Sequence, residues 1–310
     1  MTLDAYGMQP KLTDLPTPLP GPGQVLVRVR ATSVNPIDWK QASGKARPIL
    51  GAKFPGFIPG YDLAGEVEAI GAGVTGFTRG QRVHTRLSGT SGGASAELVL
   101  AGLDVLRPLP DALDFAQGAG LPLAGMTALQ GLRDACQLPM SGASERVLII
   151  GASGGVGHLA VQLARAAGAH VTGVCSTRNV DLVRRLGAQD VIDYTKPDAW
   201  QGAAPFDVIY DCIGSSPGDF LGRLTPRGRF ASCLPGPAVF AHALLNPVRS
   251  RKVTPVLLTP NAADLGFLDA LAADGKVTVH VDSRFPLEQL GAAWERSASG
   301  RATGKIIVEL

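Results

Sequence analysis

A glycine-rich turn between an apolar run and a helical run constrains the fold of this chain more than any other feature. Residues Arg146–Ile150 (RVLII) are apolar and rich in β-branched side chains, which is typical of a buried parallel strand. The turn Gly151–Gly157 (GASGGVG) follows, and apolar side chains then recur at helical spacing until Gly168, a residue suited to ending a helix. Strand, glycine turn and helix in this order predict the first half of a dinucleotide-binding βαβ unit.

The glycines of this turn have separate roles in holding a pyrophosphate. Gly151 permits the tight turn, and Gly154 and Gly155 let backbone N–H groups approach the phosphates. Gly157 lets the helix lie close to the strand, and the helix N-terminus adds N–H donors and partial positive charge. An ordinary strand-to-helix loop can have the same pattern, but the flanking strand and helix favour the nucleotide site.

The residues after the second strand indicate which nicotinamide cofactor is bound. Residues 169–174 (AHVTGV) form that strand, and an NAD site would have an Asp or Glu close behind it for the ribose 2′-hydroxyl. The chain has Cys175–Asn179 (CSTRN) there, without a carboxylate, and Arg178 suits a 2′-phosphate. The alternative is that Arg178 is a solvated residue at a helix start. The pattern favours NADPH over NADH.

Composition and charge exclude several classes of protein. The chain has 310 residues, enough for about two domains, with 45% hydrophobic and 18% charged residues, as in compact soluble proteins. A net charge of +3 without a Lys/Arg run does not indicate nucleic acid binding. Neither a secretory signal nor an apolar run of membrane-spanning length is present, so the cytoplasm is the default location. The four cysteines have no Cys-x-x-Cys spacing, which predicts neither a disulfide framework nor a zinc cluster.

The pattern of predicted strands and helices changes twice along the chain. Short strands with many Gly and Pro predict an all-β, barrel-like N-terminal region. From about residue 121, strands alternate with helices, which predicts a doubly wound parallel sheet. The tail is mixed again, with a strand predicted at Val277–Val281 and a helix at Pro286–Ala298. We therefore expect one domain at 1–120 and 260–310 and a second, inserted domain at 121–259.

The chain resembles the medium-chain dehydrogenase/reductase superfamily over essentially its full length. The motifs that carry the resemblance are Pro59–Val67 (PGYDLAGEV), Gly80–Val83 (GQRV), Leu121–Ala128 (LPLAGMTA), Gly151–Gly157, Leu186–Ala188 (LGA), Val191–Tyr194 (VIDY) and Gly304–Val308 (GKIIV). The resemblance implies a GroES-like catalytic domain with an inserted Rossmann sheet, and a homodimer.

The zinc ligands of the family are replaced in this chain. Zinc-dependent alcohol dehydrogenases of the superfamily have a Cys where this chain has Asn35, and Gly-His-Glu where it has Gly60-Tyr61-Asp62. They also carry a four-cysteine lobe, whereas the first cysteine here is Cys136. The chain is similar to the zinc-free quinone oxidoreductase branch, in which Asn-Pro-x-Asp, here residues 35–38, is usual. No metal site is expected.

The resemblance also implies a set of site residues. Asn35 and Thr127 are expected beside the nicotinamide and its ribose, the glycine turn at the pyrophosphate, and Arg178 with its neighbours at the 2′-phosphate. The catalytic candidates are Tyr61 and Asn35. The cofactor-binding candidates are Asn35, Thr127, Ser153, Gly154, Gly155, Val156, Gly157, Ser176, Arg178, Tyr194, Cys212, Ile213, Gly214, Ser232, Cys233 and Leu234.

Three assignments each have two alternatives. The Tyr61 phenol either donates a hydrogen bond to the acceptor as negative charge develops or fills space left by a missing zinc ligand. Trp39, Phe54 and Phe57 form an aromatic wall for a flat acceptor or belong to the core. Lys305 either reaches the cofactor or, as the more ordinary expectation, lies on the surface.

The leading functional hypothesis is a zinc-independent reductase that transfers hydride from NADPH to a quinone or another activated acceptor. Without a metal to polarise an alcohol, hydride transfer requires an acceptor that is already electrophilic. The runner-up within the enzyme class is reduction of the C=C bond of an enone or 2-alkenal. A hypothesis of another class is an NADPH-binding sensor or regulatory protein without significant turnover. The expected partners are a small molecule and a second copy of the chain.

Overall fold

The computed structural model describes residues 1–47, 50–90 and 92–310, which divide into two compact units. The first unit, which contains the mixed sheet, comprises Met1–Leu123, Pro260–Gly275 and Val279–Leu310. The second unit, which contains the parallel sheet, comprises Ala124–Thr259 and Lys276–Thr278.

The strands form one sheet in each unit. The strands are β1 Gln24–Val34, β2 Asp62–Ile70, β3 Arg82–Arg86, β4 Leu98–Gly102, β5 Arg107–Pro108, β6 Arg146–Ile150, β7 His170–Cys175, β8 Asp190–Asp193, β9 Phe206–Asp211, β10 Leu224–Ser232, β11 Lys252–Pro255, β12 Val281–Pro286 and β13 Lys305–Glu309. The strand order in the sheet of the first unit is β12-β13-β1-β2-β3-β5, with β4 also paired to β1. The strand order in the sheet of the second unit is β11-β10-β9-β6-β7-β8.

The α-helices connect and cover these strands. They are α1 Pro36–Ala42, α2 Phe115–Gly120, α3 Pro122–Gln130, α4 Gly157–Ala167, α5 Val180–Arg185, α6 Pro237–Leu244, α7 Ala262–Ala273 and α8 Leu290–Ala298. No helix in the described parts of the chain combines the length and apolar character needed to cross a bilayer.

The long strand β1 organises the sheet of the first unit. It pairs antiparallel with β2, β4 and β13, so both of its edges are hydrogen-bonded. Val25 and Val27 are fully buried, whereas Arg30 is exposed, as the alternation of Val and Arg predicts. Strand β13 ends the chain next to β1, which brings residues near 35 and 305 to one region of this unit.

The second unit contains the predicted doubly wound sheet. All of its neighbouring strands pair in parallel, and Val147 and Ile149 of the central strand β6 are fully buried. Helix α4 ends at Gly168, whose φ of 104° requires a residue that tolerates the left-handed region. This arrangement confirms the strand–turn–helix prediction for 146–168.

The predicted strand at 277–281 is wrong. Val277 and Val279 are buried and alternate with an exposed Thr278, but the backbone N–H of Thr278 donates to the side chain of Gln162 instead of to a neighbouring strand. The ladder begins only at Val281, in β12. The helix predicted from Pro286 likewise starts later, because a single 3₁₀ turn at Leu287–Gln289 precedes α8.

Candidate active site

The glycine turn of the second unit has the close approach that its sequence requires. A Cβ atom at Gly157 would lie 2.1 Å from the carbonyl oxygen of Gly151, so only glycine lets α4 begin this close to the strand end. Gly151 itself has a φ of 77°. At Gly154 a Cβ would lie 3.3 Å from the same oxygen. The turn is therefore a tight backbone cradle at the N-terminus of an eleven-residue helix, which fits a pyrophosphate.

Side chains hold the cradle in place. Asn179, which is buried, donates from Nδ2 to the Ser153 hydroxyl at 2.8 Å and so ties the turn to the segment after β7. His158 is fully buried, and its Nδ1 lies 3.0 Å from the carbonyl oxygen of Gly154. These contacts fix the loop through side chains of the second unit itself.

The three candidates for the 2′-phosphate lie at the ends of two adjacent parallel strands. Ser176 and Arg178 follow β7, and Tyr194, which is 61% exposed, follows β8. The Tyr194 N–H donates to the carbonyl oxygen of Cys175 at 3.1 Å. Asp193 accepts a 2.6 Å hydrogen bond from the Thr177 hydroxyl, which lowers the pKa of the carboxyl group. The structure thus brings these candidates to one corner of the sheet.

The candidates for the nicotinamide side follow β9 and β10. Backbone hydrogen bonds continue past both strand ends. The Cys212 N–H donates to the carbonyl oxygen of Ile150 at 3.0 Å, and the Cys233 N–H donates to the backbone carbonyl oxygen of Asp211 at 3.1 Å. Ile213 and Leu234 are 60% and 39% exposed. Burial raises the pKa of the Cys212 thiol well above its usual range, with the neighbouring Cys233 thiol as a further cause.

The backbone of Thr127 accepts a hydrogen bond from Tyr210, and the turn that follows its helix makes room for the Tyr210 ring. Helix α3 continues into a π-helical turn at Gly131–Ala135, a form often found at functional sites. A Cβ at Gly131 would lie 2.4 Å from the ring of Tyr210, so the glycine makes room for that ring. The Tyr210 hydroxyl then donates to the carbonyl oxygen of Thr127 at 2.8 Å.

In the first unit, Asn35 belongs to a buried ionic cluster. Its Oδ1 accepts a hydrogen bond from Lys305 Nζ at 2.6 Å, and its Nδ2 donates to Asp62 Oδ2 at 2.9 Å. Asp62 also accepts from the Ser33 hydroxyl and from the backbone N–H of Leu123, both at 2.9 Å. Lys305 is only 2% exposed, so its expected surface position is wrong.

Asp38 adds a second carboxyl group to this cluster. Its Oδ2 accepts from the backbone N–H of Asn35 at 2.7 Å, whereas its buried Oδ1 has no hydrogen-bond partner in the described parts of the chain. Burial, reinforced by the nearby Asp62 carboxyl, raises the pKa of Asp38 to about 7. Burial likewise raises the pKa of Asp62 and lowers that of Lys305, because each charged form loses hydration.

The Tyr61 side chain is buried, and its hydroxyl is hydrogen-bonded to other residues of the first unit. The ring is fully buried, and the hydroxyl is hydrogen-bonded to Gln41 Oε1 at 2.8 Å and to the carbonyl oxygen of Thr90 at 2.9 Å. Burial raises the pKa of Tyr61 to about 12. The Arg86 guanidinium lies 4.6 Å from the centre of the ring. This geometry favours the space-filling alternative for Tyr61 over a hydrogen bond to the acceptor.

The aromatic residues near α1 belong mainly to the core. Phe57 is 5% exposed, and Trp39 and Phe54 pack against the same cluster. The rings of Phe54 and Phe57 meet edge to face, with 5.8 Å between their centres. The core alternative therefore accounts for all three.

The residues at the family's zinc position do not fit a zinc ion. Catalytic zinc takes three ligands from Cys, His and carboxylate side chains. Here the Asp62 carboxylate lies 3.8 Å from the Lys305 ammonium, and the neighbouring positions hold an amide and a hydrogen-bonded phenol. Within residues 1–47, 50–90 and 92–310, no group of three or more His, Cys, Asp or Glu side chains could hold a metal.

Sequence reasoning missed three residues that shape these regions. Lys305 is the second residue of the motif Gly304–Val308, but only the pairing of β1 with β13 shows that it is buried beside Asn35. Asn179 and Asp211 each lie at the end of a strand or in the turn after one. Their only sequence signal is a short polar side chain at the carboxyl edge of a parallel sheet, where ligands bind.

Comparison with known proteins gives consistent matches over the whole chain. Residues 21–111 match the family described as alcohol dehydrogenase GroES-like domain, and residues 186–308 match the family described as zinc-binding dehydrogenase. The chain is 40% identical over 304 residues to the chloroplast envelope quinone oxidoreductase homolog of Arabidopsis thaliana, covering 95% of this chain and 92% of the relative.

Two further matches are informative. The NADPH-dependent alkenal/one oxidoreductase, chloroplastic, of Arabidopsis thaliana is 33% identical over 295 residues, covering 92% of this chain and 72% of the relative. The solved structure of the quinone oxidoreductase from Coxiella burnetii is 31% identical, with a TM-score of 0.86, and covers 100% of this chain and 98% of the other.

Proposed function

Because the chain belongs to the medium-chain dehydrogenase/reductase superfamily and is quinone oxidoreductase-like, we propose that it is an NADPH-dependent reductase of quinones or activated alkenes. The observation that carries the proposal is the glycine cradle at the start of α4, where a side chain at Gly157 would collide with the Gly151 carbonyl. The names of the relatives, quinone oxidoreductase and alkenal/one oxidoreductase, support the acceptor classes.

The second unit holds and orients the cofactor in this proposal. When bound, NADPH supplies a hydride for transfer to an electrophilic carbon or quinone. Ser153 and the turn residues Gly154, Gly155, Val156 and Gly157 bind the pyrophosphate, aided by the helix N-terminus. Ser176, Arg178 and Tyr194 bind the 2′-phosphate end. The backbone after β9 and β10 orients the nicotinamide, with Thr127 at its ribose.

The first unit contributes a fixed amide in this proposal. Lys305 and Asp62 hold both ends of the Asn35 side chain, so its orientation is set before binding. Asp62 takes one of the two Nδ2 hydrogens, and we propose that the second is the N–H that this unit offers to a ligand. Preorganised donors of this kind stabilise developing negative charge at little reorganisation cost.

Zinc independence is part of the proposal. The ion-paired Asp62 and the Asn35 amide support it, because they are poor substitutes for the thiolate and imidazole ligands of catalytic zinc. Metal analysis of active protein tests it: less than a tenth of an equivalent of zinc, with turnover unaffected by chelation, is expected. One tightly held zinc per chain, with activity lost on chelation, would refute it.

A panel of acceptors distinguishes the three functional hypotheses. NADPH oxidation is followed by absorbance against several quinones, several enones and 2-alkenals, and a saturated ketone as the matched inactive control. We expect the highest kcat/KM for quinones. Higher values for enones would establish the runner-up, and tight NADPH binding without turnover of any acceptor would establish the sensor.

A homodimer is also part of the proposal. Strand β11 is the last strand of its sheet in the described residues, and exposed apolar side chains of the neighbouring α6 region support a partner there, namely Phe240, Leu244, Leu245 and Val248. Light scattering during size-exclusion chromatography is expected to give twice the chain mass of 32.1 kDa. The cytoplasmic location expected from the sequence stays a prediction, testable by fractionation.

A further inference from the structure

A fully buried carboxylate lies at the last residue of β9. Asp211 is 0% exposed, and its Oδ1 accepts a hydrogen bond from the backbone N–H of Ile213 at 3.2 Å. Its Oδ2 accepts from the backbone N–H groups of Gly214 at 3.0 Å and Ser215 at 2.9 Å. One side chain thus binds three successive backbone donors of the segment that follows its own strand.

The same carboxylate reaches the segment after the adjacent strand. Oδ2 of Asp211 accepts a 2.7 Å hydrogen bond from the hydroxyl of Ser232, the last residue of β10. The Ser232 hydroxyl oxygen in turn accepts from the backbone N–H of Leu234 at 3.3 Å. Ser232 is itself fully buried, so its hydroxyl serves this internal bond. The segments 212–215 and 232–234 are therefore fixed by one group.

The glycine turn is in contact with this arrangement. A Cβ atom at Gly151 would lie 2.5 Å from Cγ2 of Ile213, so the Ile213 side chain lies directly on the first glycine of the turn. Gly214 has a φ of 87°, and a Cβ there would lie 3.4 Å from the carbonyl oxygen of Leu234. The segment 212–215 thus contacts both the glycine turn and the segment 232–234 at the carboxyl edge of the sheet, and Asp211 binds its backbone.

We propose that Asp211 is a positioning residue that sets the backbone of 212–215 and 232–234 for the nicotinamide half of the cofactor. The inference rests on the proposed function. The site requires a group that only accepts, because all four of its partners donate: three backbone N–H groups and one hydroxyl. In an asparagine one of the two oxygens becomes an NH₂ group, which donates and would face at least the Ile213 N–H, so the variant cannot reproduce the arrangement.

A matched control lies at the opposite end of the same strand. Asp207 is the second residue of β9, and it accepts from the backbone N–H of Arg146 at 3.0 Å and from the Thr225 hydroxyl at 3.1 Å. Asp207 therefore also joins its strand to both neighbours, β6 and β10. It lies at the amino edge of the sheet, whereas ligands bind at the carboxyl edge in folds of this kind.

The experiment compares wild type, Asp211→Asn and Asp207→Asn as full chains, using two ligands. Calorimetry measures Kd for NADPH and for 2′,5′-ADP, which lacks the nicotinamide half. We expect Asp211→Asn to raise the NADPH Kd about tenfold or more while the 2′,5′-ADP Kd stays within about twofold. Asp207→Asn is expected to lower Tm but to leave both Kd values within about twofold.

A milder pair of variants decides the question if Asp211→Asn does not fold. Ser232→Ala and Thr225→Val each remove one hydroxyl donor from β10, to Asp211 and Asp207 respectively. We expect Ser232→Ala to raise the NADPH Kd about threefold or more with 2′,5′-ADP unaffected, and Thr225→Val to change neither.

The outcomes separate this inference from the proposed function. Equal NADPH affinities for the variants at the two ends of the strand would overturn the role of Asp211, as would a parallel loss of 2′,5′-ADP and NADPH affinity. Wild-type protein that binds no NADPH would instead refute the proposed function, and the positioning role with it.

Discussion

Nζ of Lys305 lies 2.6 Å from Oδ1 of Asn35, although 270 residues separate them in sequence. The contact depends on the pairing of β13 with β1, which places the last strand of the chain beside the strand that leads to Asn35. Asn35 bonds in turn to Asp62, which lies 3.8 Å from the same ammonium group. A cation, an amide and a carboxylate are therefore held together without exposure to solvent.

Loss of the cation should destabilise the first unit strongly. In Lys305→Met the Asp62 carboxylate keeps its burial but loses its ion-pair partner, and we expect the free energy of unfolding to fall by about 3–5 kcal/mol. Urea denaturation measures the change. Lys11→Met, which removes an exposed pair with Asp4, is the control and should show no measurable change. Equal effects of the two variants would contradict the prediction.

The stability of the protein should depend on the protonation of Asp38. Burial and Asp62 raise the pKa of Asp38 from 3.8 to about 7, with Lys305 and Arg86 acting in the opposite direction. The folded chain therefore binds the proton more tightly than the unfolded chain, and stability falls as the pH rises from about 4 to about 7.

Asp38→Asn should remove that pH-dependent loss. The stability of the variant relative to wild type is expected to grow between pH 4 and pH 7, by on the order of 2–4 kcal/mol in total, and to stay constant at higher pH. Urea denaturation at pH 5, 6, 7 and 8 measures the difference. A difference that does not change with pH would show that Asp38 does not titrate in this range.

Tyr61→Phe should affect stability more than catalysis. The variant removes the one phenol hydrogen that Gln41 Oε1 and the Thr90 carbonyl share, while that carbonyl still accepts from Gln41 Nε2 at 2.7 Å. We expect a cost of about 1–2 kcal/mol in stability, whereas kcat/KM for a quinone should fall less than about threefold. Tyr6→Phe, which removes a hydroxyl that accepts from the backbone N–H of Ala52 at 2.9 Å, is the control for loss of a phenol hydroxyl in the same unit. A tenfold loss of kcat/KM with unchanged Tm would instead assign Tyr61 to the acceptor.

Arg178→Ala should change the preference between cofactors. If the guanidinium binds the 2′-phosphate, the Kd for NADPH should rise about tenfold while that for NADH stays within about twofold. Arg184→Ala, an exposed residue of α5, is the matched loss of positive charge. Calorimetric titrations with both cofactors provide the measurement, and an unchanged NADPH-to-NADH ratio would remove Arg178 from the site.

Local patterns predicted much of the second unit. The strand 146–150 and the turn after it were predictable because each depends on a few neighbouring residues: a β-branched run and glycines with required backbone geometry. The strand expected at 277–281 failed because alternation shows only that a segment is extended. Its hydrogen-bond partner, the side chain of Gln162, is distant in sequence.

In the first unit, the contacts that could not be predicted from the sequence join residues that are far apart in the chain. A lysine near the C-terminus reads as a surface residue, because lysine is rarely buried without a partner. Its partners, Asn35 and Asp62, become neighbours only through strand pairing. The same holds for Tyr61, whose hydroxyl partners Gln41 and Thr90 come from different loops and helices.

The second unit includes three residues, Lys276–Thr278, that lie outside its main stretch of sequence. A gene fragment that encodes this unit would therefore have to include them. Gln162 is 6% exposed and exchanges hydrogen bonds with the backbone of Thr278, through Nε2 to its carbonyl oxygen and Oε1 to its N–H, both at 2.9 Å. An excised fragment that spans only 124–259 would leave this amide facing water or an empty groove. The nucleotide-binding half is thus not encoded as one transferable stretch, and a chimera joined at residues 124 and 259 would need the later tripeptide restored.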